Sequence, residues 1–331
     1  MKDLRNTLEE SLAFYHEQER QISARLTILP KGKIRQKRIG GEIYYYLHYR
    51  KGPSVRTDYL GKTVPGDLRE RLAERSRLEK ELRRVREGLR LLRSKRRMET
   101  DLMEPLRSIL STFTEKKLWD SGLEIIGTWC FLLYQKHLPV EKYPLKTDDL
   151  DLLIPFPYKG PAFDLGGYLK GLGFVQGFNA DGSTYFSGPR MKVEFISRER
   201  GSGRKPADFI KEISITPQLL RFVDILFAEP AVLKVARGIK AKVPSPSAFT
   251  LHKLVIATRF KRRDKKDKDI RQAIYTGKYV LTDPLEKRRL LRLWASFPRP
   301  WKKRVKDALR LALDIVPLEE SFIRHLEGEL F

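Results

Sequence analysis

The segment Thr147-Asp148-Asp149-Leu150-Asp151-Leu152-Leu153-Ile154 sets three carboxylates at the head of an apolar, β-forming run. In a strand, side chains two residues apart leave by the same face, so Asp149 and Asp151 project together. Two like charges held that close demand a cation. Hard oxygen ligands suit Mg²⁺ or Mn²⁺, ions that bridge substrate phosphates rather than sit in an all-protein cage. A third carboxylate, Glu194 in Met191-Lys192-Val193-Glu194-Phe195, falls on another expected strand in phase with Lys192 and would complete a two-metal set. Asp148 faces away unless the register slips by one. Upstream, Gly127-Thr128 ends an apolar strand and opens a helix, where free backbone N–H groups, the helix dipole and a hydroxyl receive phosphate. The competing reading of the acidic run is a solvated turn before an ordinary strand.

These residues meet only if neighbouring elements bring them together. From about Leu102 the pattern alternates. A helix over the segment from Asp101 to Leu118 precedes a buried strand at Leu123–Gly127, a helix from Thr128, and the strand carrying Asp149 and Asp151. A helix ending at Gly171 or Gly173, a hairpin around Asp181-Gly182 and the strand of Glu194 follow. From Ser247 onward the chain reads as helical, broken at Gly277, Asp283-Pro284, Pro298 and Pro300. The expectation is an α/β (α+β) fold, a mixed sheet with flanking helices, divided as 1–64, 65–100, 101–245 and 246–331.

The first hundred residues differ in character. A short helix and a linker over 1–30 lead into Lys31–Lys62, where β-formers alternate with cations between Gly40-Gly41 and Lys51-Gly52-Pro53, as in a three-stranded meander. Tyr44, Tyr46 and His48 share one face, with Arg35, Lys37, Arg38 and Arg50 around the edge, an arrangement suited to stacking bases and tracking phosphates. Alternatively the tyrosines make a small core with a solvated rim. Over 67–97, apolar residues at 78, 82, 85, 89 and 92 form the seam of a long basic helix, which either pairs with another helix, including a second copy, or lies along nucleic acid.

Overall, 67 Lys and Arg against 42 Asp and Glu leave a net charge of +25, which calls for a polyanionic partner, a class that includes RNA such as tRNA. Residues 1–100 carry 26 of those cations against 14 acids. Without a signal-peptide core or a long apolar run, no membrane role is expected and the location expected is cytoplasmic. The single cysteine, Cys130, excludes an internal disulfide, and no Cys/His cluster has zinc spacing.

In order and spacing, Ile125-Ile126-Gly127-Thr128, Thr147-Asp148-Asp149-Leu150-Asp151 and the Glu194 strand resemble the nucleotidyltransferase (polymerase-β-like) superfamily. The bacterial branch near the AbiE-type toxins is the most similar, over roughly 102–275. The resemblance implies a metal-dependent enzyme that moves a nucleoside monophosphate from an NTP to an acceptor hydroxyl, with Asp149, Asp151 and Glu194 holding Mg²⁺ or Mn²⁺. It further implies that Gly127, Thr128 and Lys253, with Arg259, contact the triphosphate and that Asp269, in Lys268-Asp269 ahead of Gln272-Ala273, orients one of these cations or the acceptor. A plain reading of those positions is a solvated helix lysine and a charged turn. A toxin or defence setting, with an antitoxin partner, is implied by the resemblance alone. One departure stands out: Trp129-Cys130 follow Gly127-Thr128 where relatives commonly carry Arg or Lys. A small-molecule or protein acceptor, and a catalytically silent nucleic-acid-binding scaffold, are the other readings.

Overall fold

The structure, a computed structural model, describes residues 2–95, 104–143, 145, 147–189, 191–199, 208–259, 262 and 264–331; for 2–11 and 91–95 it describes the backbone. The expected boundary at 100/101, the 96–97 end of the basic helix and the first residues of the helix expected from Asp101 lie outside the described residues. Two compact units emerge, Met1–Met98 with Leu313–Ser321, and Glu99–Ala312 with Phe322–Phe331.

In the first unit, α1 (Lys2–Ile28) runs 27 residues, far longer than the short helix expected. Leu12, Tyr15, Ile22 and Leu26 continue one apolar stripe against Leu78, Val85 and Leu89 of α2 (Gly66–Lys95), so packing carries the helix through its polar stretch. Arg25 bonds Glu74 at 2.6 Å and Arg86 bonds Glu19 at 2.7 Å, which sets the two helices antiparallel. Arg75 donates to the Leu26 and Leu29 carbonyls at 2.8 and 3.0 Å and satisfies the C-terminal end of α1. The seam expected to recruit another helix or a second copy is thus filled from within the chain. Between the helices, β1 (Lys33–Ile39), β2 (Glu42–Lys51) and β3 (Ser54–Gly61) form the expected antiparallel meander. Gly40 and Gly41 turn the first hairpin with φ of 58° and 84°, a conformation costly for any side-chain-bearing residue.

The second unit is a mixed α/β layer structure. Strands β4 (Glu124–Ile126), β5 (Asp149–Leu153), β6 (Val175–Phe178), β7 (Thr184–Ser187) and β8 (Lys192–Arg198) pair in the order β4-β5-β8-β7-β6, and β9 (Gln218–Leu220) pairs with the far half of β8. β5 and β8 run parallel; β4 is antiparallel to β5. Leu150, Leu152, Val193 and Phe195 are buried on one face. On the opposite face Leu153 and Ile196 pack with Ile126, Val223 and Leu226, and the polar residues of the two strands occupy the other end. α3 (Glu104–Glu115) and α5 (Leu165–Gly171) precede and follow the first strands, and the hairpin β10 (Ala231–Ala236) and β11 (Ile239–Val243) leads into the helical region.

α4 (Gly127–His137) packs against α6 (Pro246–Ala257), where Phe249 meets Phe131 and Tyr134, and the Tyr134 hydroxyl donates to the Pro244 carbonyl at 2.5 Å. All twelve residues of α6 are buried, and Ser245 caps it by accepting from the Ala248 N–H. Cys130 is buried. α7 (Lys266–Thr282) runs through Gly277, which does not break it; a Cβ there would make ordinary contact with Thr250 and Phe322 at 3.4 Å. α8 (Pro284–Ser296), capped by Asp283, α9 (Arg299–Ile315) and α10 (Glu320–Leu330) complete the chain. No described helix is long and apolar enough to cross a membrane.

Glu124 is 1% exposed, and its Oε2 has no partner among the described residues. Burial pushes its carboxyl up to about 8, against the smaller opposing pull of Lys242. A folded-state pKa above the unfolded one means stability that is full below the unfolded value and lost as pH rises toward about 8. In denaturant titrations at pH 5, 7 and 9, Glu124→Gln should therefore gain on the wild type between pH 5 and 8, by up to about 1.4 kcal/mol per pH unit, and hold a constant advantage above that. A gap independent of pH would show the carboxyl to be ordinary.

Candidate active site

Gly127 is the joint between β4 and α4, with φ of 68°. A Cβ at this position would collide with Asp151 Oδ2 and lie 3.0 Å from its Cγ, so the carboxylate rests directly on the glycine turn. The register explains the contact: Ile126 faces Asp151 across the antiparallel pair, and Asp151 faces Glu194 across the parallel one, while Asp149 faces Lys192. Asp149, Asp151 and Glu194 therefore share one face of the sheet, as the alternation requires. Thr147 pins the strand's start, its hydroxyl accepting from the Asp149 N–H at 3.3 Å. Asp148 lies just before the strand and is exposed.

Asp151 keeps partial solvent access, yet protein atoms crowd its carboxylate. Burial, then the charges of Glu194 and Asp149, raise its pKa to about 7, while Lys253 and Lys265 pull the other way. Glu194 is bonded by Lys192, whose ammonium lies 4.1 Å from the centre of the Tyr185 ring. Among the described residues no group of three or more His, Cys, Asp and Glu side chains is gathered as a metal site.

Behind the acidic face stands a buried charge relay. Lys253 Nζ donates to Asp269 Oδ1 at 2.8 Å, with the two side chains 6% and 1% exposed. Arg262 grips the same carboxylate with two bonds, at 2.8 and 3.1 Å. Although burial opposes it, the lysine and arginine charges hold the Asp269 carboxyl below its usual range. Burial and the neighbouring Lys253 and Lys265 depress Lys268, and burial with Lys253 pushes His252 down to about 3, so it is neutral. Gln272, fully buried, donates to the Thr128 hydroxyl at 3.4 Å and ties α7 to the start of α4.

Of the residues singled out in the sequence, Gly127, Thr128, Asp149, Asp151, Glu194, Lys253 and Asp269 come together around this face. Arg259 does not join Asp269; its guanidinium lies 5.5 Å from the centre of the Phe222 ring, and Arg262 takes the place at the carboxylate. Arg262 and Lys265 were not singled out, because a run of cations carries no pattern that tells the paired from the solvated. In the other unit, Arg35 faces Tyr46 and Lys37 faces Tyr44, and Arg50 shares their parity, whereas Arg38 faces Ile43 on the opposite side. No residue of the meander is fully buried, so its tyrosines are not a core. Tyr59, absent from the expected set, faces Tyr46 and lies 5.4 Å from it and 6.2 Å from Tyr44.

Residues 104–291 match the family described as Nucleotidyltransferase, which is more than half of the 331-residue chain, and the chain belongs to that family. Residues 2–70 match a second family, described as Domain of unknown function (DUF6788). Among solved structures, an antigenic nucleotidyltransferase-like protein from Paracoccidioides brasiliensis is similar at 15% identity and a TM-score of 0.39, over 66% of this chain and 92% of that one, too loosely to argue from. No curated protein is significantly similar to the chain.

The contact at Gly127 has a measurable signature. Gly127→Ala should lower unfolding stability by well over the ~1–2 kcal/mol of left-handed strain, because the new methyl displaces the Asp151 carboxylate. In an Asp151→Ala background the same substitution should cost only the strain, a coupling that a double-mutant cycle in urea reads directly. Additive costs would mean that the carboxylate does not rest on the turn.

Proposed function

We propose that the chain is a metal-dependent nucleotidyltransferase that joins a nucleoside monophosphate from an NTP to a hydroxyl of an RNA acceptor. The observation that carries this reading is the seating of Asp151 on the Gly127 turn, in register with Glu194, in a chain of the Nucleotidyltransferase family. The donor set fits a hard divalent cation. It is all carboxylate, and burial, then the charges of Glu194 and Asp149, drive Asp151 up; such an ion would relieve that repulsion. Asp149, Asp151 and Glu194 would hold Mg²⁺ or Mn²⁺, and the bound ion would polarise the α-phosphate and acidify the attacking hydroxyl.

This chain's own groups supply the positioning. The first N–H groups of α4, beyond Gly127 and Thr128, receive the phosphates at the positive end of the helix dipole, and Gln272 orients the threonine hydroxyl. Lys253, fixed by Asp269, contributes its field from within the protein, which replaces the Arg or Lys that relatives carry after the glycine turn. Lys192 stands over the Tyr185 ring beside Glu194, one of the acids that would hold the ion. The acceptor oxygen bonds to the α-phosphorus, the bond to the β-phosphate oxygen breaks, pyrophosphate departs, and the hydroxyl proton is lost to the acidic face.

An RNA acceptor is supported by the net charge of +25 and by the exposed meander, where Tyr44, Tyr46 and Tyr59 form a ladder flanked by Arg35, Lys37 and Arg50. A toxin or defence role rests on the sequence resemblance alone. The Glu194–Lys192 pair favours a second reading, a silent scaffold that holds RNA without modifying it.

Incubation with each α-labelled NTP, Mg²⁺ or Mn²⁺ and total RNA should transfer label to RNA, and Asp149→Ala/Asp151→Ala should abolish the transfer. Equal RNA retention by both proteins with no label on either would establish the silent scaffold instead. Tyr59→Ala should weaken binding of a single-stranded RNA by about 1–3 kcal/mol in anisotropy titrations, the worth of one stacked base, with little change in melting temperature. Unaltered affinity would remove the meander from the acceptor path.

A further inference from the structure

Phe222 is a non-glycine residue in the left-handed region, with φ of 72°. Two guanidiniums approach its ring, Arg259 and Arg304, each 5.5 Å from the centre. Trp301 meets the same ring edge-on at 5.3 Å and is itself backed by Phe297 at 5.2 Å. The neighbouring Arg221 bonds Glu199 at 2.7 Å, and Arg262 is held by Asp269. Among the described residues neither Arg259 nor Arg304 has an ion-pair partner. Arg304 reaches only the Thr258 hydroxyl, at 3.4 Å. Burial and the charges of Arg262, Arg304 and Arg221 pull Arg259 below its usual range, with Glu199 opposing. Two guanidiniums held over one braced aromatic ring, neither with a carboxylate partner among the described residues, and two more close enough to act on Arg259 form a concentration of positive charge.

Its place in the fold ties it to the acidic face. Val223 and Leu226, in the turn that Phe222 opens, pack on Ile126, Leu153 and Ile196, the residues next along the same face from Asp151 and Glu194. Arg262 links the cluster through Asp269 to Lys253. The cations that act on Asp151 itself are Lys253 and Lys265, so the arginines lie one step further out. We propose that this cluster binds the phosphodiester backbone of the acceptor strand just behind the nucleotide whose hydroxyl reacts. The proposal rests on the RNA-acceptor reading above. An acceptor hydroxyl at the end of a strand arrives with its own phosphates trailing behind it. Planar guanidiniums stacked on a ring are preorganised for such oxygens, giving paired N–H donors with little conformational freedom left to lose. A small-molecule acceptor would leave the cluster unused.

The test uses the full chain and a 5′-labelled single-stranded oligoribonucleotide with a free 3′ end, with Arg304→Gln to remove the charge and Arg304→Lys to keep it. In anisotropy titrations across a salt series, Arg304→Gln should reduce the slope of log K against log salt by about 0.7, one phosphate contact on a single strand. Arg304→Lys should retain the slope, and the affinity for a fluorescent NTP should stay within twofold for both variants. These are binding measurements, so they read out whether or not label transfer occurs: a normal Arg304→Gln slope loss in a protein that transfers nothing would sink the enzymatic reading and leave the phosphate site standing. Unchanged RNA slope in Arg304→Gln overturns the site. So does a tenfold loss of NTP affinity with RNA binding intact, which would make the cluster a triphosphate subsite. Equal melting temperatures for the three proteins exclude misfolding as the cause.

Discussion

A carboxylate seated on a backbone turn is the constraint around which the second unit is arranged. Asp151 must approach Gly127 within the space a methyl group would need, and it does so beside two other acids on the same face. Burial and repulsion together make its charged form unfavourable, as its pKa near 7 records. Cations must therefore lie close, and the nearest deep one, Lys253, is itself too buried to stand alone. Asp269 answers it, and Arg262 answers Asp269. Acid and base thus alternate from the sheet into the helical layer. Such a relay adds little net stability, because desolvation offsets most of the attraction, but removal of any member strands its neighbour. The arrangement fixes geometry more than it strengthens the fold.

What could be read from the sequence followed from periodicity. The strand of Asp149 and Asp151, the Glu194 strand, the hairpin between β6 and β7 and the glycine turn at 127 all carry local signals, and a two-residue period leaves little choice about which side chains share a face. The misreadings arose where a local signal had two causes. Gly277 looks like a helix end, yet α7 continues through it, with Ile274 buried before it and Val280 after it. The polar stretch around Gln18-Glu19-Arg20 hides a helix that only α2 makes visible, because one apolar residue per turn suffices when a partner stripe exists. Among the cations after Thr258, pairing with Asp269 picked out Arg262; that choice depends on a side chain reaching across from the next helix.

The positive charge is used differently in the two units. In α1 and α2 the arginines pair with half-buried glutamates near the surface, contacts worth about 0.2–1 kcal/mol each, and they orient the helices more than they stabilise them. In the meander the cations stand beside tyrosines on a sheet with no buried face, an open arrangement for three strands. In the second unit they are drawn inward, where lower polarisability of the surroundings makes each charge count for more. A composition of 67 Lys and Arg could describe either use, and only the burial of their partners separates them.

Gly127 and Phe222 both adopt the left-handed backbone, and each handles it differently. At Gly127 the chain has no room for a side chain, so glycine removes both the strain and the collision. At Phe222 the strain is accepted, at about 1–2 kcal/mol for a residue with a Cβ. A strained residue persists only where its surroundings over-determine it. Here Trp301 holds the ring's edge, and the apolar turn behind it is packed onto Ile126, Leu153 and Ile196. The ring is thereby fixed where Arg259 and Arg304 approach it. Glycine at 222 would relax the backbone but remove the surface that holds two like charges in place, so the aromatic ring explains why strain is retained there and avoided a few residues from the carboxylates.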